Sequence, residues 1–353
     1  MEAGPASIGL ADDDHRHSAA TPKRICVFRA LQLGDMICAG PALRALRRRF
    51  PAARITLVGL PWAADFARRM ADCVDEHVEF PGWPGLPERP ADDARLPGFL
   101  EAMRERRFDL SLQLHGSGGI TNAVVRAFGA RRLVAHRPAE AALNQQRDGD
   151  TWRYPEALHE VHRNLHLVGK LGAAVDDDRV TFPLLPSDHA ELRERRPDLA
   201  ALPPGGHVCL HPGARDPAKW WPAACFAAVG DALAEQGWTI VITGNAAEHG
   251  LAREVASRMR APSINAACDI SIGALAALMS RSRLLVSNDT GAAHVAAGLG
   301  VSSVVVFLST DPARWAALDT TRHVALHGPS VTKNAVVEAA QRLLARAPDE
   351  AAA

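Results

Sequence analysis

A surplus of charge of either sign is missing from this chain: Lys plus Arg and Asp plus Glu both number 40 in 353 residues, for a formal net charge of zero. No global field then recruits nucleic acid or a membrane, and charge-driven binding has to be local. Paired cysteines are missing too. The six, Cys26, Cys38, Cys73, Cys209, Cys225 and Cys268, show no C-x-x-C pair and no zinc spacing, which excludes a disulfide framework and fits reduced thiols in a cytoplasmic enzyme. The most apolar stretch, 295–308, is interrupted by glycines and too short to span a bilayer. Residues 1–21, rich in Ala, Asp and His, lack the apolar centre of a signal peptide and are expected to be a disordered tail. Neither G-x-x-x-x-G-K-[ST] nor an intact G-x-G-x-x-G occurs, which argues against an ATPase or an ordinary dehydrogenase.

What is present is a 47% hydrophobic composition, enough for two cores of ordinary size. After the tail, Arg24–Phe28 is a short β-branched run, followed by the glycine loop Leu33-Gly34-Asp35 and a helical pattern to Arg49. Strand, helix and strand segments continue at 54–58, 63–70 and 109–114, which predicts a parallel sheet covered on both faces. Prolines and glycines then crowd the stretch up to Gly206, the texture of an interdomain connection around one charged helix. Beyond it the pattern restarts, with strands at 207–210, 238–242, 284–287 and 303–307 and helices at 223–236 and 292–299. The expectation is an α/β chain of two Rossmann-like α/β/α domains facing across a cleft: a first domain at 22–183, a linker at 184–206 and a second domain at 207–331. A last helix at 332–347 can close on either, packing back on the N-terminal domain included.

Three loops that follow strands carry candidate binding groups, two of them for phosphate. In Ser287-Asn-Asp-Thr-Gly-Ala-Ala-His294, Gly291 opens a helix, so unpaired amides and a positive helix end sit where ligands collect in an open parallel sheet. The rival reading is that Asp289 only caps that helix. The loop His211-Pro-Gly-Ala-Arg-Asp-Pro-Ala-Lys219-Trp-Trp-Pro222 offers Lys219 as a point charge and the amides around Gly213 and Ala214, or else is a surface loop whose tryptophans fill the domain edge. Glu248, after the next strand, can accept hydrogen bonds from a ribose diol. In the first half, Asp35 faces the cleft if both sheets present their carboxyl edges to it. A carboxylate there can serve as general base on a hydroxyl, or simply cap the helix.

Two further clusters carry rival readings. His159, His162 and His166 share one face of a helix, but no cysteine or carboxylate pair completes a ligand set, so no metal site is expected. Arg44, Arg47, Arg48 and Arg49 make a basic helix end, either a favourable partner for the helix dipole or an attraction to an anionic acceptor or membrane face.

Taken in order, Val27-Phe-Arg-Ala-Leu-Gln-Leu-Gly-Asp35, His211-Pro-Gly-Ala214 with Lys219 and Pro222, Asn288-Asp-Thr-Gly291 with His294, and Thr310-Asp-Pro-Ala-Arg-Trp315 resemble glycosyltransferase family 9, the heptosyltransferase-like group. The resemblance implies a GT-B fold and inverting, metal-independent transfer. A sugar moves from a nucleotide diphosphate donor, ADP-heptose in the best-known members, to a glycan or glycolipid such as lipopolysaccharide core. It implies Asp35 as base, Lys219 and Asp289-Thr290-Gly291 around the diphosphate with Gly213, Ala214 and His294 beside them, Glu248 on the nucleoside side, and Gly34 and Arg29 on the acceptor side. It implies no cofactor beyond the donor itself, no nucleic acid partner, and a cytoplasmic protein in peripheral contact with the inner-membrane surface. Two departures bear on the donor: Leu308-Ser309 replaces the usual Gly-Pro before Thr310, and Arg215-Asp216-Pro217 replaces small hydroxyl residues. The alternatives are a GT-B sugar-nucleotide epimerase or hydrolase, and a non-catalytic nucleotide-sugar-binding protein.

Overall fold

The computed structural model describes residues 21–141 and 150–346, so the expected tail, apart from Thr21, lies outside the described residues. The first half contains β1 (Arg24–Phe28), α1 (Leu33–Arg49), β2 (Arg54–Gly59), α2 (Ala63–Arg69), β3 (Glu76–Glu79), α3 (Leu96–Glu105), β4 (Leu110–Gln113), α4 (Gly119–Ala127), β5 (Arg132–Arg137), β6 (Asp150–Arg153) and α5 (Glu160–Gly169). After the connecting α6 (Pro186–Arg195) and α7 (Pro197–Ala200), the second half contains β7 (His207–His211), α8 (Ala223–Ala234), β8 (Thr239–Ile242), α9 (His249–Arg258), β9 (Ser263–Asn265), α10 (Ile272–Met279), β10 (Leu284–Asn288), α11 (Gly291–Leu299), β11 (Ser303–Phe307), α12 (Pro312–Trp315), β12 (His323–His327) and α13 (Lys333–Leu344). The sheets run β3-β2-β1-β4-β5-β6 and β12-β11-β10-β7-β8-β9, with parallel pairing throughout. Counted within its own half, each has the doubly wound order, whose direction reverses between β1 and β4 and between β7 and β10. Ligands bind outside the strand carboxyl ends at such reversals. No helix among the described residues is long and apolar enough to cross a membrane.

The period-2 alternation of the strands sorts side chains onto two faces of each sheet. Cys26 and Phe28 of β1 pack outward with Phe80, Met103, Val124 and Phe128. Ile25 and Val27 point inward onto α1 and α5, and Cys209 and Leu285 of the second sheet belong to the same continuous apolar cluster through α10 and α11. The inner helical layers of the two halves therefore form one core. Val208, Leu210, Val286 and Val304 face the other way, into a cluster that includes Val336, Ala339, Ala340 and Leu343 of α13. This places the last helix on α8, β10 and β11 of the second half, not back on the first as sequence allowed. Its apolar stripe matches a face that β10 and β11 would otherwise leave bare. The six cysteines are free thiols; burial pushes Cys26 up to about 12, so it stays protonated.

Three contacts fix how the halves meet. The helix starts of α1 and α11 abut, and a Cβ on Gly34 would come within 2.5 Å of the His294 ring. The chain crosses between halves over Gly298, whose carbonyl accepts from the Phe182 N–H at 3.0 Å. The segment expected as a linker is ordered: Leu192 and Leu199 are buried in the shared core and α6 packs on α10. Asp188 of α6 takes a two-pronged bond from Arg69 of α2, at 2.6 and 2.9 Å, with both side chains buried. Burial opposes ionisation of Asp188, but the Arg69 guanidinium and the Leu185 N–H at 2.7 Å outweigh it and hold the carboxyl below its usual range.

Removing one partner of such a buried pair costs about 3–5 kcal/mol, so Arg69→Met should lower the unfolding free energy by that order in chemical denaturation. A depressed carboxyl stabilises the fold above the unfolded value near pH 4, and this contribution fades as pH falls through the folded value. The destabilisation caused by Asp188→Asn should therefore be full at pH 7 and shrink below about pH 4; an equal loss at both ends of a pH series would contradict it. Gly34→Ala should cost about 1–3 kcal/mol by overpacking, and most of that cost should vanish in a His294→Ala background, as a double-mutant cycle in thermal unfolding would reveal.

Candidate active site

The loops singled out by sequence lie at the two strand-order reversals. Residues 29–35 leave β1 and 114–115 leave β4; residues 212–219 leave β7 and 289–291 leave β10. Gly291, the first residue of α11, sits against Leu33, the first of α1, with a hypothetical Cβ 3.4 Å from the leucine side chain. Two helix N-termini, each with unpaired amides and a positive dipole end, thus converge on one place. Asp35 stands in the first turn of α1. Its Oδ2 accepts the Gln32 N–H at 3.2 Å and its Oδ1 lies 3.7 Å from Arg29 Nη2, with the side chain 20% exposed. Oδ2 therefore caps the helix, and Oδ1 is the oxygen left outside that bond. Arg29 is 1% exposed and donates from Nε to the Asp35 carbonyl at 2.9 Å, which ties it to the turn that carries the carboxylate.

Across the cleft, Asp289 is buried and its Oδ2 accepts from Lys219 Nζ at 2.7 Å and from the Thr310 hydroxyl at 2.6 Å. Asn288 staples the 212–221 loop to β10, accepting the Trp221 N–H at 3.0 Å and donating to the Pro212 carbonyl at 2.7 Å. Asp216 accepts the Ala218 N–H at 3.0 Å and starts the short turn Pro217–Lys219, so the unusual Arg215-Asp216-Pro217 segment winds the loop that delivers the lysine. The Leu308-Ser309 replacement leaves Thr310 bonded to Asp289. Trp221 is buried core; Trp220 is exposed and donates to the Ala214 carbonyl at 2.7 Å. Thr290 caps α11 with extended backbone and no side-chain bond into the helix.

Glu248 stands one strand further out. Its Oε2 accepts the Asn245 N–H at 2.9 Å and lies 4.0 Å from buried His211, while its carboxylate rests against Gly213 where no Cβ fits. Burial pushes the His211 pKa down, partly offset by the Glu248 charge. His294 lies between the halves, with Nδ1 3.7 Å from Cys38 Sγ and its ring edge-on to Trp315. Burial lowers its pKa too, and the charges of Asp289 and Asp35 only partly restore it, so the imidazole is neutral at pH 7.

Other expectations do not meet at the cleft. His159 caps α5 and contacts the Ala316 carbonyl at 2.8 Å, His162 pairs with Asp178 at 2.9 Å, and His166 stacks on His136. The shared helical face thus splits among three partners, and no group of three metal-ligating side chains occurs among the described residues. Each arginine at the basic end of α1 has a partner: Arg44 binds Asp177, Arg47 binds Asp75, Arg48 binds Asp176, and Arg49 donates to the Leu171 carbonyl, while Arg48 and Arg49 themselves stay at the surface. Conversely, sequence reasoning missed Glu160. This buried carboxylate collects Arg29 at 3.0 Å, Arg163 at 3.2 Å and, from the other half, Arg314 at 3.0 Å. The resemblance quoted Arg314 without giving it a role, and only the neighbouring histidines drew attention to the start of α5. Glu88 was missed as well; it accepts from His115 Nε2 at 3.3 Å beside the first loop.

The pattern of glycosyltransferase family 9 (heptosyltransferase) matches residues 98–341. Lipopolysaccharide heptosyltransferase 3 of Escherichia coli is 24% identical over 290 residues, covering 80% of this chain and 82% of its own. Lipopolysaccharide heptosyltransferase 2 of Salmonella typhimurium is 26% identical over 303 residues, covering 82% and 84%. Among solved structures, a glycosyl transferase family 9 protein of Veillonella parvula superposes with a TM-score of 0.77 at 22% identity over 91% of this chain and 97% of that one. An E. coli heptosyltransferase solved with ADP superposes with a TM-score of 0.70 at 19% identity over 91% and 99%. Two doubly wound halves facing across a cleft are the GT-B architecture. With the family pattern covering well over half its length, the chain belongs to glycosyltransferase family 9 and is a glycosyltransferase.

Proposed function

We propose that the protein transfers heptose from ADP-heptose to a hydroxyl of a lipopolysaccharide-core acceptor, with inversion at the anomeric carbon. The observation that carries the reading is the meeting of the two helix starts, with Asp35 on one lip and the Lys219–Asp289 pair on the other. The lipopolysaccharide heptosyltransferases related to it and the heptosyltransferase solved with ADP support the choice of substrates. Asp35 takes the proton of the acceptor hydroxyl as that oxygen bonds to the anomeric carbon, and the bond from that carbon to the diphosphate breaks. Lys219 and the amides at Thr290 and Gly291 receive the charge growing on the departing ADP, where preorganised donors lower the barrier most. The donor diphosphate draws Lys219 towards it without leaving Asp289 unpaired, since Thr310 remains as its donor. Gly213 and Ala214 line the path of the diphosphate, Glu248 with its remaining oxygen serves the ribose, and His294 packs as a neutral wall beside the reacting centre. Gly34 and Arg29 shape the acceptor side. In this reading the protein works in the cytoplasm, and a lipid-borne acceptor brings it to the inner-membrane surface.

Incubation of the purified protein with ADP-heptose and a core acceptor should give a heptosylated product and ADP by mass spectrometry. Free sugar released equally without acceptor would instead indicate a hydrolase or epimerase. Asp35→Asn should lower kcat by about 10²–10⁴ while ADP affinity in calorimetry stays near the parent value. Lys219→Ala should weaken ADP binding about tenfold or more, the worth of a charge-assisted hydrogen bond; unchanged ADP affinity would remove Lys219 from the donor site.

A further inference from the structure

Glu160 is the point through which the two lips of the cleft are tied. It opens α5 in the first half, buried to 5%, and three guanidinium groups from three separate segments converge on it. Its Oε1 holds Arg29 Nη2 at 3.0 Å. Its Oε2 holds Arg163 Nη1 at 3.2 Å, one helical turn on, and Arg314 Nη2 and Nε at 3.0 and 3.2 Å. Burial would raise the Glu160 pKa, but the charges of Arg29 and Arg314 reverse this and keep it ionised at neutral pH.

The two arginines lead to the two sides of the reaction. Arg29 has its remaining donors spoken for: Nε by the Asp35 carbonyl at 2.9 Å, Nη1 by Asn164 Oδ1 at 3.0 Å and by the Leu114 carbonyl. Its Nη2 is shared between Glu160 at 3.0 Å and Asp35 at 3.7 Å, so the nearer carboxylate keeps it from closing on the farther one. Arg314 belongs to α12, which follows Thr310, the residue bonded to Asp289; it stacks on Trp315 and donates to the Tyr154 hydroxyl at 3.2 Å. Side-chain contacts thus run from Asp35 through Arg29 and Glu160 to Arg314, and the chain itself leads from α12 back to Thr310, Asp289 and Lys219.

We propose that Glu160 is a positioning residue for transfer, which holds Arg29 off the base and at the same time clamps the donor-side helix α12 against the acceptor-side lobe. This rests on the reading of Asp35 as base. With Glu160 neutralised, Arg29 is free to close on Asp35, which favours its charged form and weakens it as a base. The groups around Asp35 are Arg29, at 3.7 Å, with Glu160 behind it, and Cys38 on its helix and His294 from the other lobe, both of which also feel the charge of Asp289. Of these only the first two exchange partners in the variant.

The test is Glu160→Gln in the full-length protein, assayed with ADP-heptose and a core acceptor across pH, with ADP affinity measured in parallel. The acid limb of kcat/KM should move down by about one pH unit and kcat, per folded molecule, should fall about tenfold or more, with ADP affinity little changed. A folded Glu160→Gln with the parent's acid limb and kcat overturns the proposal. Should that variant fail to fold, Arg314→Met, which spares the Arg29–Glu160 pair, carries the test: kcat should fall severalfold with the acid limb unmoved, and parental kcat overturns the clamp. An active Asp35→Asn defeats the base reading itself. An inert Asp35→Asn beside a parent-like Glu160→Gln defeats only the role of Glu160.

Discussion

Two helices that start at the same place constrain everything else in this molecule. For Leu33 of α1 to lie against Gly291 of α11, the side chain at 34 must be absent, because the His294 ring occupies the space a Cβ would need. That approach is made affordable by apolar burial: the inner helices of both halves share one continuous core, which offsets the cost of setting two positive helix ends together. An anion placed between them relieves the repulsion. Two such helix ends favour an anion between them, and this follows from backbone geometry before any side chain is considered.

Side chains then divide the labour. On the lip of the second half, Asp289 is a buried carboxylate that holds a lysine and a threonine in position, and Asn288 beside it pins the loop that brings the lysine in. On the lip of the first half, Asp35 caps its own helix with one oxygen and leaves the other near Arg29, which a second carboxylate, Glu160, shares. Buried carboxylates are thus placed where each has at least two donors, as a low-dielectric site demands. Neutral His294 and the half-buried Arg314–Trp315 pair stand beside them without adding a competing base.

Much of this was legible in the sequence because it is local. Strand, glycine loop and helix start follow one another within about ten residues, so Arg24–Phe28 with Gly34-Asp35 and Leu284–Asn288 with Gly291 announced both the parallel sheets and the loops at their carboxyl ends. Asp35, Lys219 and Asp289 were singled out on those loops, and the structure sets them at the strand-order reversals. What stayed hidden depends on partners far along the chain. Glu160 meets Arg29 across 131 residues and Arg314 across 154, and no spacing rule links such positions. The histidines of α5 share a helical face, yet each is drawn to a different neighbour. The Arg44–Arg49 cluster has the composition of a docking patch but is answered by acidic and carbonyl partners in surrounding loops. The side on which α13 packs depends on which sheet face lacks a cover, a property of the assembled sheet and not of the helix.

The claim beneath all of these is that donor diphosphate and acceptor base confront each other across the junction of α1 and α11. A crystal structure of the protein with ADP tests it directly. The account predicts density for the diphosphate at the start of α11, within bonding reach of Lys219 and the Gly291 amide, with the Asp35 carboxylate facing it across the gap. ADP bound on another surface, or an Asp35 turned away from the diphosphate behind an intact α1–α11 contact, would contradict it.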